Sequence, residues 1–218
     1  MGSPAEGRKA LRRVARMFVK VCGLRTERDV DVAVEAGADA IGFVFAESPR
    51  RVDADTAARL AARVPDGILT VGVFRDQPLD DVRALVEATG VRAVQLHGHE
   101  DLAYFEAVRA FLPAGRTLIR AASVRDEAPG HGERGEDVLL LDAPVPGAGE
   151  TWDLTGKRLP GPDVRWLLAG GLTPRNVGAA IRAARPWGVD VSSGIESSRG
   201  VKDPDLIRAF LAAARAEV

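Results

Sequence analysis

The chain has a single thiol, Cys22, which is followed by a glycine and ends the apolar run Phe18–Cys22, FVKVC. A thiolate is an effective base where its surroundings favour the deprotonated form near neutral pH. A solitary cysteine is equally well explained as small apolar filler. Asp142 follows four apolar residues, VLLL. A carboxyl at the lip of a buried strand stays partly desolvated, which raises its pKa and suits a general acid; capping the next loop is the alternative use. Gly170-Gly171, with Thr173-Pro174 opening a helix behind them, present backbone N–H groups unobstructed by Cβ atoms. Ser192-Ser193-Gly194 add hydroxyls and further amides. Such loops bind anions, or merely make tight turns. Arg50 and Arg51 are suited to a bidentate carboxylate clamp, or form a solvated pair. His97 and His99 lack a third ligand and make no recognisable metal site, and His131 lies in a polar loop without evident role.

These residues need elements to hold them. Short β-branched runs alternate with helical patterns along the chain. Strands are predicted at 18–22, 40–45, 68–74, 93–96, 117–121, 138–141, 164–168 and 189–191. Helices are predicted at 26–36 (Thr26 as N-cap, Gly37 closing it), 54–64, 79–88, 100–111, 174–184 and 204–214. Residues 125–136 hold a proline and three glycines, so a regular fifth helix is not expected there, and 143–163 reads as a short helix or a loop. Eight strands alternating with about six helices require parallel pairing through crossovers. The related stretches AVEAGADAIGF, LVEATGVRAVQL and AARPWGVDVSSG suggest a repeated βα unit. The expected fold is therefore a single-domain α/β (β/α)₈ TIM barrel over 17–218 with a degenerate helix-five region; an open doubly wound sheet is the alternative. Residues 1–16, polar and basic, read as a disordered extension.

In such barrels the chemistry lies at the C-terminal ends of the strands, and phosphate commonly sits in the loops after strands seven and eight. That rule selects Cys22, Arg50, Asp142, the glycine pair and the serine loop together. Composition narrows the partners. With 46% hydrophobic and 28% charged residues and a net charge of −1, there is no basic field for nucleic acid. No apolar run reaches the roughly 18 residues of a membrane span, nor is there a signal-peptide core. One cysteine permits no internal disulfide. A cytoplasmic enzyme with a small phosphorylated substrate is the expectation.

Several motifs then fall in order: VKVCGL (19–24), ADAIGFVF (38–45) with SPR (48–50), VGVF (71–74), VQLHG (94–98), LLLDAP (139–144), LAGGLTPRNV (168–177), and VDVSSGIE (189–196) with KD (202–203). Together they resemble the phosphoribosylanthranilate isomerases of tryptophan biosynthesis, from Phe18 to the last helix. The resemblance implies a barrel without cofactor or metal, a monomer or a homodimer. It implies that Cys22 is the general base, Asp142 the general acid, Arg50 the holder of the anthranilate carboxylate (with Arg51 a possible substitute), and Gly170, Gly171, Ser192, Ser193 and Gly194 the phosphate loops. The implied reaction is an Amadori rearrangement of an aminoaldose to an aminoketose. Asp142 protonates the furanose ring oxygen, a Schiff base forms, and Cys22 removes the C2′ proton.

One loop and two single positions depart from the family pattern. The loop after strand six reads PGAGETWDL (146–154), with Glu150 for a lysine, Trp152 for a phenylalanine and Leu154 for a tryptophan. Arg120 stands where a lysine is frequent, and Arg25 where a threonine is usual, which is expected to alter the field near Cys22.

Overall fold

The computed structural model describes residues 16–123, 129–142, 158–161 and 163–217. Eight parallel strands close into a barrel in sequential order, β1 (Phe18–Cys22), β2 (Ala40–Val44), β3 (Leu69–Phe74), β4 (Ala93–Leu96), β5 (Thr117–Ser123), β6 (Val138–Asp142), β7 (Trp166–Ala169) and β8 (Gly188–Val191), with β8 pairing back onto β1. Six helices pack around the described part of the ring: α1 (Glu27–Glu35), α2 (Ala54–Ala61), α3 (Leu79–Thr89), α4 (Leu102–Phe111), α5 (Val177–Ala184) and α6 (Pro204–Arg215). A short hairpin, β9 (Glu196–Ser198) with β10 (Val201–Lys202), lies between β8 and α6.

Most boundaries follow local chemistry already visible in the chain. Thr26, Asp53, Asp101 and Asp203 each accept an amide from the first turn of their helix, the pairing that satisfies otherwise orphaned N–H groups. Three starts fall two or three residues later than predicted. The predicted seventh strand begins at 164, but the Val164 N–H closes a turn on the Gly161 carbonyl, so β7 starts at Trp166. The helix predicted from 174 starts at Val177, because Asn176 accepts from the Thr173 N–H and donates to the Gly171 carbonyl. The helix predicted from 100 starts at Leu102, because the Glu100 carboxylate accepts from the Asp76 and Gly98 amides and ties two loops together.

Where helix five would stand, residues 129–136 form loop and turns. Buried Glu136 accepts from the Gly132 and Arg134 amides, and Glu133 pairs with Arg120 from β5. Arg120 thus serves the outside of the barrel. Of the predicted N-terminal extension, Arg16 is bonded to the Gly37 carbonyl and Asp39, and residues 1–15 lie outside the described residues. So does the 146–154 loop.

Strand alternation sorts the side chains. Val19, Val21, Val94, Leu96, Leu139, Leu141, Val189 and Val191 pack outward under the helices. Cys22, Val71, Val73, Ala93, Ile119, Ala121, Leu140 and Leu167 fill the barrel interior. By the same parity Lys20, Gln95, Asp142 and Asp190 point inward, and a barrel interior this full of side chains is packed rather than open.

Candidate active site

At the C-terminal mouth of the barrel lies a cavity of about 520 Å³, within the size range of small-molecule sites. Cys22, Arg50, Asp142, Gly170, Gly171, Ser192 and Ser193 all line it, together with Gln95, His97 and Asp190. Seven of the predicted site residues, drawn from β1, the loop after β2, β6 and the loops after β7 and β8, therefore meet in one space. Gly194 and Arg51 are not among the lining residues. Arg51 points to solvent and pairs with Glu47.

Cys22 is buried at the end of β1 and is register partner to Gly42 on β2. A methyl group at Gly42 would stand 2.8 Å from the Cys22 sulfur, so the glycine in AIGFV is the space that the thiol occupies. Beneath the thiol, Lys20 is wholly buried and its Nζ lies 2.8 Å from Asp190 Oδ1. Burial pushes the Cys22 thiol above its usual value; the Lys20 charge works against that shift, Asp190 with it, and Lys202 against it again. The resting site thus favours the thiol, and the two ammonium groups limit how far.

Asp142 ends β6. Its Oδ1 is buried and accepts no hydrogen bond among the described residues, while Oδ2 stands 3.7 Å from His97 Nε2. The exposed part of the side chain, about a fifth of it, is what Asp142 presents to the cavity. Gln95 Oε1 is likewise buried and unpartnered among the described residues.

Arg50 reaches back to Glu196 in β9, Nε to Oε1 at 2.6 Å and Nη2 to Oε2 at 2.9 Å. This side-on fork uses two of the five guanidinium N–H groups and leaves the end-on edge for a second carboxylate. Glu196 also accepts from the Gly200 N–H and from Lys202. Burial alone would raise its carboxyl, but Arg50, Gly200 and Lys202 outweigh that and hold it at about 2.

The two glycines after β7 both adopt left-handed backbone, and Asn176 staples their loop as described above. After β8, Ser193–Ile195 form a 3₁₀ turn. The Ser192 hydroxyl is used differently from expectation. It donates to the Cys22 carbonyl at 3.1 Å and accepts from Lys202 at 3.2 Å, so it locks the loop to β1 rather than waiting for a ligand. Gly194 has its α-carbon against the Leu172 carbonyl, where a Cβ would overlap the oxygen; its part is to let the two loops interlock. Arg25 donates to the Gly200 carbonyl, and the charges acting on the Cys22 thiol are those of Lys20, Asp190 and Lys202 instead, contrary to the expected effect on the field there.

Sequence reasoning reaches Gln95 only as a strand-end residue without a role, and does not single out Lys20, Asp190, Glu196 and Lys202 as site residues. For three of them, Lys20, Gln95 and Asp190, a signal exists: a polar residue inside an apolar strand (VKVC, AVQL, GVDV) at inward parity.

The family model described as N-(5′-phosphoribosyl)anthranilate (PRA) isomerase matches residues 19–213. The N-(5′-phosphoribosyl)anthranilate isomerase of Dechloromonas aromatica is 44% identical over 209 residues, covering 90% of this chain and 95% of its own. The crystal structure of TrpF from Jonesia denitrificans superposes with a TM-score of 0.82 at 46% identity, over 92% of this chain and 98% of that one. A phosphoribosyl anthranilate isomerase solved with reduced 1-(o-carboxyphenylamino)-1-deoxyribulose 5-phosphate superposes with a TM-score of 0.74 at 31% identity, over 92% and 99%.

Proposed function

This chain belongs to the N-(5′-phosphoribosyl)anthranilate isomerase family, and we infer that it converts N-(5-phosphoribosyl)anthranilate to 1-(2-carboxyphenylamino)-1-deoxyribulose 5-phosphate in tryptophan biosynthesis. The observation that carries this reading is the meeting of Cys22 and Asp142 in one cavity whose wall also holds the loops after β7 and β8 and Arg50, with one edge of its guanidinium unused by Glu196. The substrate has a phosphate at one end and a carboxylate at the other, with the reacting ribose between them.

The roles follow from what each group can do. Asp142, as the acid, donates to the furanose ring oxygen; its side chain lines the cavity in which the ring would lie. Ring opening leaves a Schiff base, and the C2′ proton becomes acidic. Cys22, as thiolate, takes that proton, and the resulting enolamine tautomerises to the ketone. Loop amides at Gly170, Gly171 and Ser193 hold the phosphate, while Arg50 holds the anthranilate carboxylate. Fixing both ends prepays orientation entropy at the centre. Among the described residues no helix is long and apolar enough to cross a membrane.

Freshly formed phosphoribosylanthranilate mixed with the protein should lose its anthranilate fluorescence at a rate proportional to protein. Loss no faster than in buffer would remove the isomerase reading.

A further inference from the structure

The chain has thirty basic residues and only four are lysine. Two of those four, Lys20 and Lys202, are buried, and both stand around Cys22. Lys20 precedes Cys22 by two positions on β1, so both side chains leave the same face of the strand and point into the barrel. Its register partner on β8 is Asp190, which holds the ammonium at 2.8 Å. Lys202, in β10, donates to Glu196 at 2.9 Å and to the carbonyl of Ser192 at 2.8 Å. The Ser192 hydroxyl in turn bonds the Cys22 carbonyl. Each lysine thus has a carboxylate partner and a place beside the base; against burial, Asp190 holds the Lys20 ammonium above its usual value, whereas burial leaves Lys202 below its own despite Glu196.

Stability does not account for such pairs. Replacing a buried ion pair by apolar side chains of like volume is often neutral or stabilising, and aliphatic side chains such as Ala40, Ile119 and Leu167 stand in the same part of the barrel as Lys20. A compact ammonium fits a packed strand face where a planar guanidinium would not, which matches the retention of lysine here in an arginine-rich chain. We propose that Lys20 and Lys202 are positioning residues for the base, two buried ammonium groups that hold the Cys22 thiolate by charge. The inference rests on Cys22 being the base. The charged groups bearing on the sulfur are Lys20 from β1, Asp190 from β8 and Lys202 from β10; the facing position on β2 is glycine. The lysines oppose the effect of burial on the thiol and Asp190 adds to it. Proton transfer from C2′ makes the sulfur neutral, so the two ammonium groups stabilise the state before transfer and set how much of the enzyme is competent at a given pH.

Because Cys22 is the sole cysteine, iodoacetamide alkylation of the intact protein, followed by mass across pH, reads this one group without any turnover assay. Lys20→Met and Lys202→Met are each expected to move the alkylation midpoint upward, by about one pH unit or more for Lys20, the range for an opposite charge within a few ångströms. In parallel, kcat/KM at pH 7 should fall about tenfold for each pH unit that the midpoint moves, and recover as pH rises, a recovery that a merely structural lesion would not show. If Lys20→Met does not fold, Lys20→Met with Asp190→Asn leaves no unpaired carboxylate, and the midpoint should still rise, by less. An unchanged midpoint in a folded variant overturns the proposal for that lysine. Cys22→Ser separates the two claims: normal turnover in Cys22→Ser defeats the base reading itself. An inactive Cys22→Ser alongside unmoved lysine variants leaves the base in place and defeats this inference.

Discussion

Replacing Gly42 by alanine displaces the proposed base without touching it. The added methyl would stand 2.8 Å from the Cys22 sulfur and 3.3 Å from its Cα. Ordinary contact between heavy atoms of this kind needs roughly 3.5–4.0 Å, so sulfur and methyl must separate by about 1 Å. Neither strand gives way readily, since Cys22 and Gly42 are register partners between paired strands and the Ser192 hydroxyl holds the Cys22 carbonyl. A misplacement of about 1 Å at the reacting centre costs about 10²-fold in rate, and overpacking a filled core costs about 1–3 kcal/mol. Gly42→Ala should therefore lower kcat by about two orders of magnitude, change KM less because the three atoms nearest the added methyl all belong to Cys22, and lower Tm by several degrees. Gly67→Ala is the control, since a methyl there meets nothing within 4 Å. The assay is anthranilate fluorescence at saturating substrate with a thermal melt on the same samples. A folded Gly42→Ala enzyme whose kcat stays within about twofold of the parent would refute the claim that the sulfur's position is set by this contact.

Other perturbations address the ends of the cavity. Gly194→Ala should separate the loops after β7 and β8, because its methyl overlaps the Leu172 carbonyl oxygen; the thermal protection by inorganic phosphate that is expected of the parent should be absent from the variant. Arg50→Ala removes a charge-assisted fork worth about 1.5–3 kcal/mol and should raise KM about 10- to 100-fold with a smaller change in kcat; an unchanged KM would take the carboxylate clamp away from Arg50. Glu196 contributes through linkage. Its carboxyl is held at about 2 against an ordinary 4.5, so up to about 3 kcal/mol of stability is present above pH 4.5 and is lost as pH falls toward 2. Denaturant unfolding from pH 6 to 3 should show Glu196→Gln less stable at the upper end and less sensitive to acid; parallel curves for the two proteins would contradict this.

Much of this architecture can be read in the chain because its determinants are local. The short apolar runs FVKVC and VLLL, the cap at Thr26, and the proline and glycines of 125–136 each specify a neighbourhood of a few residues. The barrel rule then gathers Cys22, Asp142, Arg50 and the two glycine loops, and the structure brings them to one cavity. What sequence hides is partnership across the ring. Lys20 and Asp190 are 170 positions apart and meet only because β8 closes onto β1. Arg50 and Glu196 meet only because the hairpin after β8 folds over the loop after β2. The same closure explains why Ser192 departs from expectation: its hydroxyl looks available for phosphate until the strand carrying Cys22 comes to lie beside it. Asn176 likewise shortens a helix by bonding backward into the glycine loop, a choice between helix and cap that periodicity alone does not resolve.

Everything proposed for the chemistry depends on Cys22 and Asp142 working as base and acid on one substrate in this cavity. The decisive measurement is turnover of phosphoribosylanthranilate at saturation by Cys22→Ser and by Asp142→Asn, each shown to be folded and protected by phosphate like the parent. Each variant should lose about 10²–10⁴ in kcat. Near-parental turnover by either would remove that residue from the reaction.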